Sequence, residues 1–382
     1  MIKANRPKTP LKNSHLQKFT HSRIFPLISP LLTFNLHSST KPMKATTALI
    51  SLSFTLPILG QVYTIPEGYT KVDIAAAASA SEPTLTSISV TLLNDLDHSS
   101  AVTVNNDFAG APTNAQTLSV SGITTWTATQ WTATPHLAYI ADENGAEEAF
   151  FITANSTTGD LTLSTSFDLL GDKDPTAAVV SRFPISTTVK IREANTIAGI
   201  FSSSFADFVP DDRVYVWDGS AWVTFQKNFN QSAWALSDNL FGNDGQTVIY
   251  PDEGIFVQRS ALSAIELSLF GEVPAVPQIS TITKTNFIST RVPVATTLAG
   301  LGVNDANWTF DDRLYIWNGS SWDTYQTSPF IGGAWAAAGA LTTNVDSTPV
   351  SANSAVFVTR SNELSGEEGI VTAPLPYDPF AE

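Results

Sequence analysis

The chain contains no cysteine, which removes thiol catalysis, thiolate metal centres and disulfide staples together. A chain of 382 residues can build its core without staples, so this absence leaves export open. Charge is scarce as well: charged residues are only 14% of the total, and Thr, Ser, Asn and Ala fill the places where Lys and Glu usually dominate. Residues 1–60 hold 8 Lys or Arg and no acid, which leaves 12 basic residues against 35 acidic ones in the rest. Such a body repels a phosphate backbone, and nucleic acid is not expected as a partner. Beyond residue 60 no apolar run approaches the length of a membrane-spanning helix. There is no G-x-x-x-x-G-K phosphate loop, no dinucleotide fingerprint and no G-x-S-x-G elbow, so no cofactor is expected.

What is present is apolar and branched. Hydrophobic residues reach 43%, rich in Val, Ile, Phe and Trp, a composition that favours strands over helices. From Met43 the text MKATTALISLSFTLPILGQVYT reads as a secretory signal peptide: Lys44 beside the Met, an apolar run from Ala48 to Leu59, and Gly60 as a small residue for cleavage. Ile58 is larger than such a site prefers. Residues 1–42 read as an upstream extension, because the signal is complete without them. The expected location is therefore exported: periplasm, cell surface or exterior.

A repeat organises the second half. DDRVYVWDGSAWVTFQ, from Asp211, returns as DDRLYIWNGSSWDTYQ, from Asp311, with 10 of 16 positions identical. ISTTVKIREANTIAGIF (from Ile185) corresponds to ISTRVPVATTLAGLG (from Ile288), and GIFVQRS (from Gly254) to AVFVTRS (from Ala355). Two homologous β-sandwich or barrel-like domains are expected, at 185–276 and 288–374, with PQISTITKTNF from Pro277 as a short linker. Ahead of them, 61–184 reads as a β-region. Within it LAYIADENGAEEAFFITANSTTGDLTLS predicts a three-stranded meander turning at Asp142–Gly145 and Thr157–Asp160. Thr196–Ser202 is the best helical candidate, and a short one. The fold class is all-β.

The order signal peptide, GYTKVDIAAAA, FFITAN, TVKIREANTIAGIF and aromatic hairpin resembles a family of exported bacterial proteins of about this length, themselves uncharacterised. In that family the hairpin precedes a P-G-x-G-F-x-V strand; here it reads Pro251-Asp252-Glu253-Gly254-Ile255-Phe256-Val257 and, later, Ala352 to Val358. The resemblance implies export and a β-rich fold, and carries no activity.

Within each hairpin the side chains alternate. Val214 and Val216, with Phe225, form one face; Arg213, Tyr215, Trp217, Trp222, Thr224 and Gln226 form the other. The second copy keeps that face as Arg313, Tyr315, Trp317, Trp322, Thr324 and Gln326. A four-residue turn pairs Trp217 with Trp222. Two readings compete. Flat rings edged with hydrogen-bonding groups suit a sugar, so Tyr215, Trp217, Trp222, Tyr315, Trp317, Trp322, Arg213 and Arg313 are candidate ligand contacts. Alternatively the tryptophans are a cross-strand packing pair with the Arg resting on the rings, the reading preferred here because repeats preserve packing more reliably than ligands.

Other chemistry is thin. His98 and His136 are far apart in sequence and read as separate surface residues. Asp211-Asp212 and Asp311-Asp312 recur beside Arg213 and Arg313, where starting the strand or pairing with that Arg is expected. The oxygens of 142–148 and 237–246 read as polar turns rather than calcium loops, and no metal site is expected. The sequence thus points to an exported, non-enzymatic structural or interaction protein of the cell envelope or exterior; it names no partner, and polysaccharide and cell-surface components are the candidates. A carbohydrate-binding protein is the alternative, and a polysaccharide-active enzyme with a carboxylate pair a third reading.

Overall fold

The computed structural model describes residues 66–105, 115–123, 125–164, 186–282, 284–304, 308–361 and 369–379. The stretch after Met43 that reads as a signal peptide, and the segment before it, lie outside the described residues. Among the described residues the protein is nearly all β, with one short α-helix, α1 (Ile197–Ile200), where a short helix is expected. Thr196 starts it by accepting a hydrogen bond from the Gly199 N–H, a side-chain cap of the usual kind.

Six strands close on themselves. β3 (Leu96–Asn105), β4 (Ala115–Val120), β5 (His136–Ala141), β6 (Glu147–Asn155), β7 (Asp160–Ser164) and β8 (Thr188–Glu193) are hydrogen-bonded in the cyclic order β8-β3-β4-β7-β6-β5 and back to β8. Every pairing in the ring is antiparallel. The predicted meander is β5-β6-β7, turning at the two expected places. Closure removes exposed strand edges. The inward residues Val102, Leu118, Ile140, Phe150, Ile152, Leu163 and Ile191 fill the interior, with Trp126 and Trp131 from the β4–β5 connection.

Two five-stranded sheets follow the same order. The first runs β12 (Trp234–Leu236), β11 (Trp222–Lys227), β10 (Arg213–Trp217), β14 (Gly254–Arg259), β2 (Thr84–Ser89). The second runs β21 (Trp335–Ala337), β20 (Trp322–Thr327), β19 (Arg313–Trp317), β23 (Ala355–Thr359), β17 (Thr285–Ser289). Each has an antiparallel ribbon beside it: β1 (Glu67–Ile74) with β15 (Ile265–Glu272), and β16 (Gln278–Ile282) with β24 (Gly369–Ala373). Each also has a two-residue pair, β9 (Asn195–Thr196) with β13 (Val248–Ile249), and β18 (Thr296–Thr297) with β22 (Pro349–Val350).

These pairings redraw the expected boundaries. The outer strand of the first sheet comes from residues 84–89, not from the stretch after Ile185, whose strand β8 belongs to the barrel. Ile88-Ser89 occupies in the first sheet the place of Ile288-Ser289 in the second, and the barrel is threaded between β2 and β9. The segment after Pro277 is no linker: it carries β16, wholly buried, and the start of β17. The residues after Ile185 resemble those after Ile288 in text and still serve a different sheet, because β8 pairs with β3 and β5 in the barrel.

Candidate functional site

The hairpins form in the expected register, Trp217 opposite Trp222 and Trp317 opposite Trp322. Asp218 closes its turn by accepting from the backbone N–H groups of Ser220 (2.8 Å) and Ala221 (2.6 Å), and Asn318 does the same for Ser320 and Ser321. Gly219 and Gly319, at φ 93° and 94°, supply the left-handed residue that the turn requires. Val214, Val216 and Phe225 are buried in the core shared with the β1–β15 ribbon.

The aromatic faces look at each other. Phe256 and Phe287 stack at 4.6 Å, Trp217 packs on Phe357 at 5.3 Å, and Trp322 on Phe256 at 5.7 Å. The contact has near twofold symmetry. Trp217 Nε1 donates to the Thr285 carbonyl (2.9 Å) and Trp317 Nε1 to the Leu85 carbonyl (3.0 Å). Ser89 N donates to the Asn353 carbonyl (2.7 Å) and Ser289 N to the Asp252 carbonyl (2.8 Å). Trp217 and Trp222 meet edge-on at 68° and Trp317 and Trp322 at 64°, so neither pair offers a coplanar platform. Tyr215 donates to Gln258 and Tyr315 lies edge-on to Phe357, leaving Trp222 and Trp322 at the rim of the seam.

The arginines are elsewhere. Arg213 is exposed, and Arg313 donates to the carbonyls of Phe310 and Asp312 rather than covering a tryptophan. Among the described residues the guanidinium-over-ring contacts are those of Arg192, Arg259 and Arg360. The repeated aspartates choose the latter two: buried Asp212 pairs with Arg259, and Asp312 lies 3.5 Å from Arg360. Each aspartate also accepts from two backbone N–H groups, Asp212 from Val209 and Ser260, Asp312 from Thr309 and Ser361. They are structural anchors. The histidines, expected apart at the surface, share one tryptophan cluster: β3 and β5 flank β8, setting His98 5.1 Å from Trp126 and buried His136 5.2 Å from Trp131. The carboxylate of Asp142 caps its own turn, accepting from Asn144 and Ala146.

The two ends of the seam differ. At one, Asn353 joins Thr70 and Thr91 in a neutral buried hydrogen-bonded set. At the other, Asp252 and Glu253 border a cavity of about 40 Å³ with Glu148, Tyr250 and Asn286. Burial pushes Asp252 up to about 6, with Arg291 pulling it back. Burial, then the neighbouring Asp252, pushes Glu253 up to about 8. Neutral pH therefore finds Glu253 largely protonated. A cavity of this size holds a water or two and no organic ligand.

A far larger concavity, about 780 Å³, opens between the barrel and the β1–β15 ribbon. Its walls are tied together: Arg192, at the end of β8, forms an ion pair with Glu272 of β15 at 2.5 Å and donates to the Asn94 carbonyl, while Leu93 and Glu272 exchange backbone hydrogen bonds. Asp95 just before β3, Asp97 at its start, Glu193 at the end of β8 and Glu67 at the start of β1 line it, with no Lys or Arg. Asn195, Ser202, Ser203 and Ser268 add amide and hydroxyl groups. Phe270 stands 71% exposed in its wall, stacked on Tyr69 across the ribbon at 6.0 Å. None of these residues forms a motif; strands distant in sequence bring them together, and only the excess of acids over bases hinted at such a surface. Among the described residues no cluster of His, Asp or Glu could hold a metal ion, and no helix is long and apolar enough to cross a membrane. Comparison with protein-family models, with curated proteins and with solved structures finds no match to the chain.

Proposed function

We propose that the chain is an exported interaction protein of the cell envelope or exterior that holds its partner in the groove between the barrel and the β1–β15 ribbon. The groove carries this reading: its volume of about 780 Å³ lies in the range of ligand sites, roughly 300 to 1,000 Å³. The signal-like stretch after Met43 supports export. The shared strand order and matching hairpin registers of the two sheets support an origin by duplication, after which the aromatic faces serve as the seam between copies. The groove, absent from that seam, is where binding is sought.

The test is a glycan and peptide array probed with the purified chain, next to Asp95→Asn/Glu193→Gln and Phe270→Ser variants whose circular dichroism matches the parent. Array signals lost in both variants support the reading. Signals indifferent to both, or no signal, count against it. N-terminal sequencing of protein recovered outside a producing cell is expected to begin near Gln61, and an intact cytoplasmic chain would refute export.

A further inference from the structure

We infer that the groove takes an amine-bearing glycan, a proposal that rests on the groove's being the binding site. Two independent features of the wall point there. The first is the exposed Phe270 ring, backed by Tyr69 and held at one register position of a paired ribbon, Tyr69 opposite Phe270. The ring adds an apolar surface to an otherwise polar wall, and a pyranose offers a flat face of C–H bonds to stack on it. The second is the polar lining. Glu67, Asp95 and Glu193 face one concavity with no Lys or Arg among the lining groups, while the fourth carboxylate, Asp97, lies 3.3 Å from the His136 ring. A concave wall of one sign focuses its field on the ligand. Phosphorylated or uronic ligands are repelled. A neutral sugar offers the exposed Glu67, Asp95 and Glu193 no opposite charge, whereas an ammonium group on the ring pairs with one directly. The hydroxyls of Ser202, Ser203 and Ser268 and the amide of Asn195 match the remaining hydroxyls of such a ring. A cationic polypeptide would use the carboxylates but has no need of this hydroxyl-rich wall.

The experiment compares calorimetric binding of three probes to the full chain: a β-1,4-linked glucosamine tetramer, its N-acetylated counterpart and tetralysine. The glucosamine tetramer is expected to bind about tenfold or more tighter than the acetylated one, the worth of a single charge-assisted contact. Its affinity should fall steeply as salt is raised from about 0.05 to 0.5 M. Phe270→Ser and Asp95→Asn/Glu193→Gln should each weaken it about tenfold; both changes fall on exposed positions, and thermal melts confirm that the fold is kept. Equal binding of the acetylated tetramer would overturn the requirement for an amine. Tetralysine binding as tightly, with Phe270→Ser without effect, would show that the groove reads charge on polypeptides. If neither glucosamine nor lysine oligomers bind but another array ligand depends on the groove, this proposal fails and the groove remains the binding site. If no ligand depends on it, both fail.

Discussion

At the scale of single residues, the second aspartate of each Asp-Asp-Arg stretch is a structural anchor. Asp212 is fully buried against Arg259, and removing one partner of a buried pair leaves the other charge uncompensated. Asp212→Asn is expected to cost about 3 to 5 kcal/mol in denaturant unfolding. Asp312→Asn should cost less, since its Arg360 contact is the looser one at 3.5 Å. Equal and small losses would mean that the backbone hydrogen bonds, not the ion pairs, hold these loops. Both halves of each pair were visible as recurring residues. Which arginine the aspartate meets was not, because it depends on β10 lying antiparallel to β14, which sets Asp212 near Arg259 and not beside its sequence neighbour Arg213. Gly254 is a second case: a Cβ there would run into that of Ala355 and lie 2.9 Å from the Phe287 ring. Gly254→Ala is expected to lower stability by about 1 to 3 kcal/mol, as overpacking does, read as a shift in thermal midpoint.

At the scale of elements, the hairpins were legible down to register, since strand alternation with Asp-Gly or Asn-Gly chemistry leaves little choice. The occupant of the outward face was not legible, because alternation says that a face exists and not what covers it. Trp217→Phe deletes the N–H that reaches the Thr285 carbonyl and is expected to cost about 1 kcal/mol. Trp217→Ala should cost about 3 to 5 kcal/mol, with Trp222→Ala, at the more exposed rim, costing less. Equilibrium unfolding of the three variants decides. A stability unchanged by Trp217→Ala would reopen that face as a ligand platform.

At the scale of the whole molecule, acidity of the medium is expected to act through the charged end of the seam. Glu253 titrates at about 8 and Asp252 at about 6 when folded, both above their ordinary values of 4.5 and 3.8. Between those limits the folded chain keeps protons that the unfolded chain has released. These two carboxyls therefore lower stability as pH rises from about 4 to about 8, outweighing the opposite contribution of His98, whose burial holds its pKa below 6.5. Chemical unfolding at intervals across that window measures the slope, and Glu253→Gln is expected to flatten most of it. A slope of the same size in that variant would place the titrating group elsewhere.

The sequence by itself determined the all-β class, the hairpins, the meander and the short helix after Thr196, because these depend on local alternation and turn residues acting over a few positions. Tertiary structure decided everything that needs distant strands to become neighbours. The barrel closes only when β8 meets β3 and β5. The first sheet is completed by β2, brought next to β14 from far upstream, and the tryptophans find each other's sheets. The groove exists only where β3, β8 and the β1–β15 ribbon converge. Pairing partners are chosen by burial summed over many residues, and no local stretch of text carries that sum.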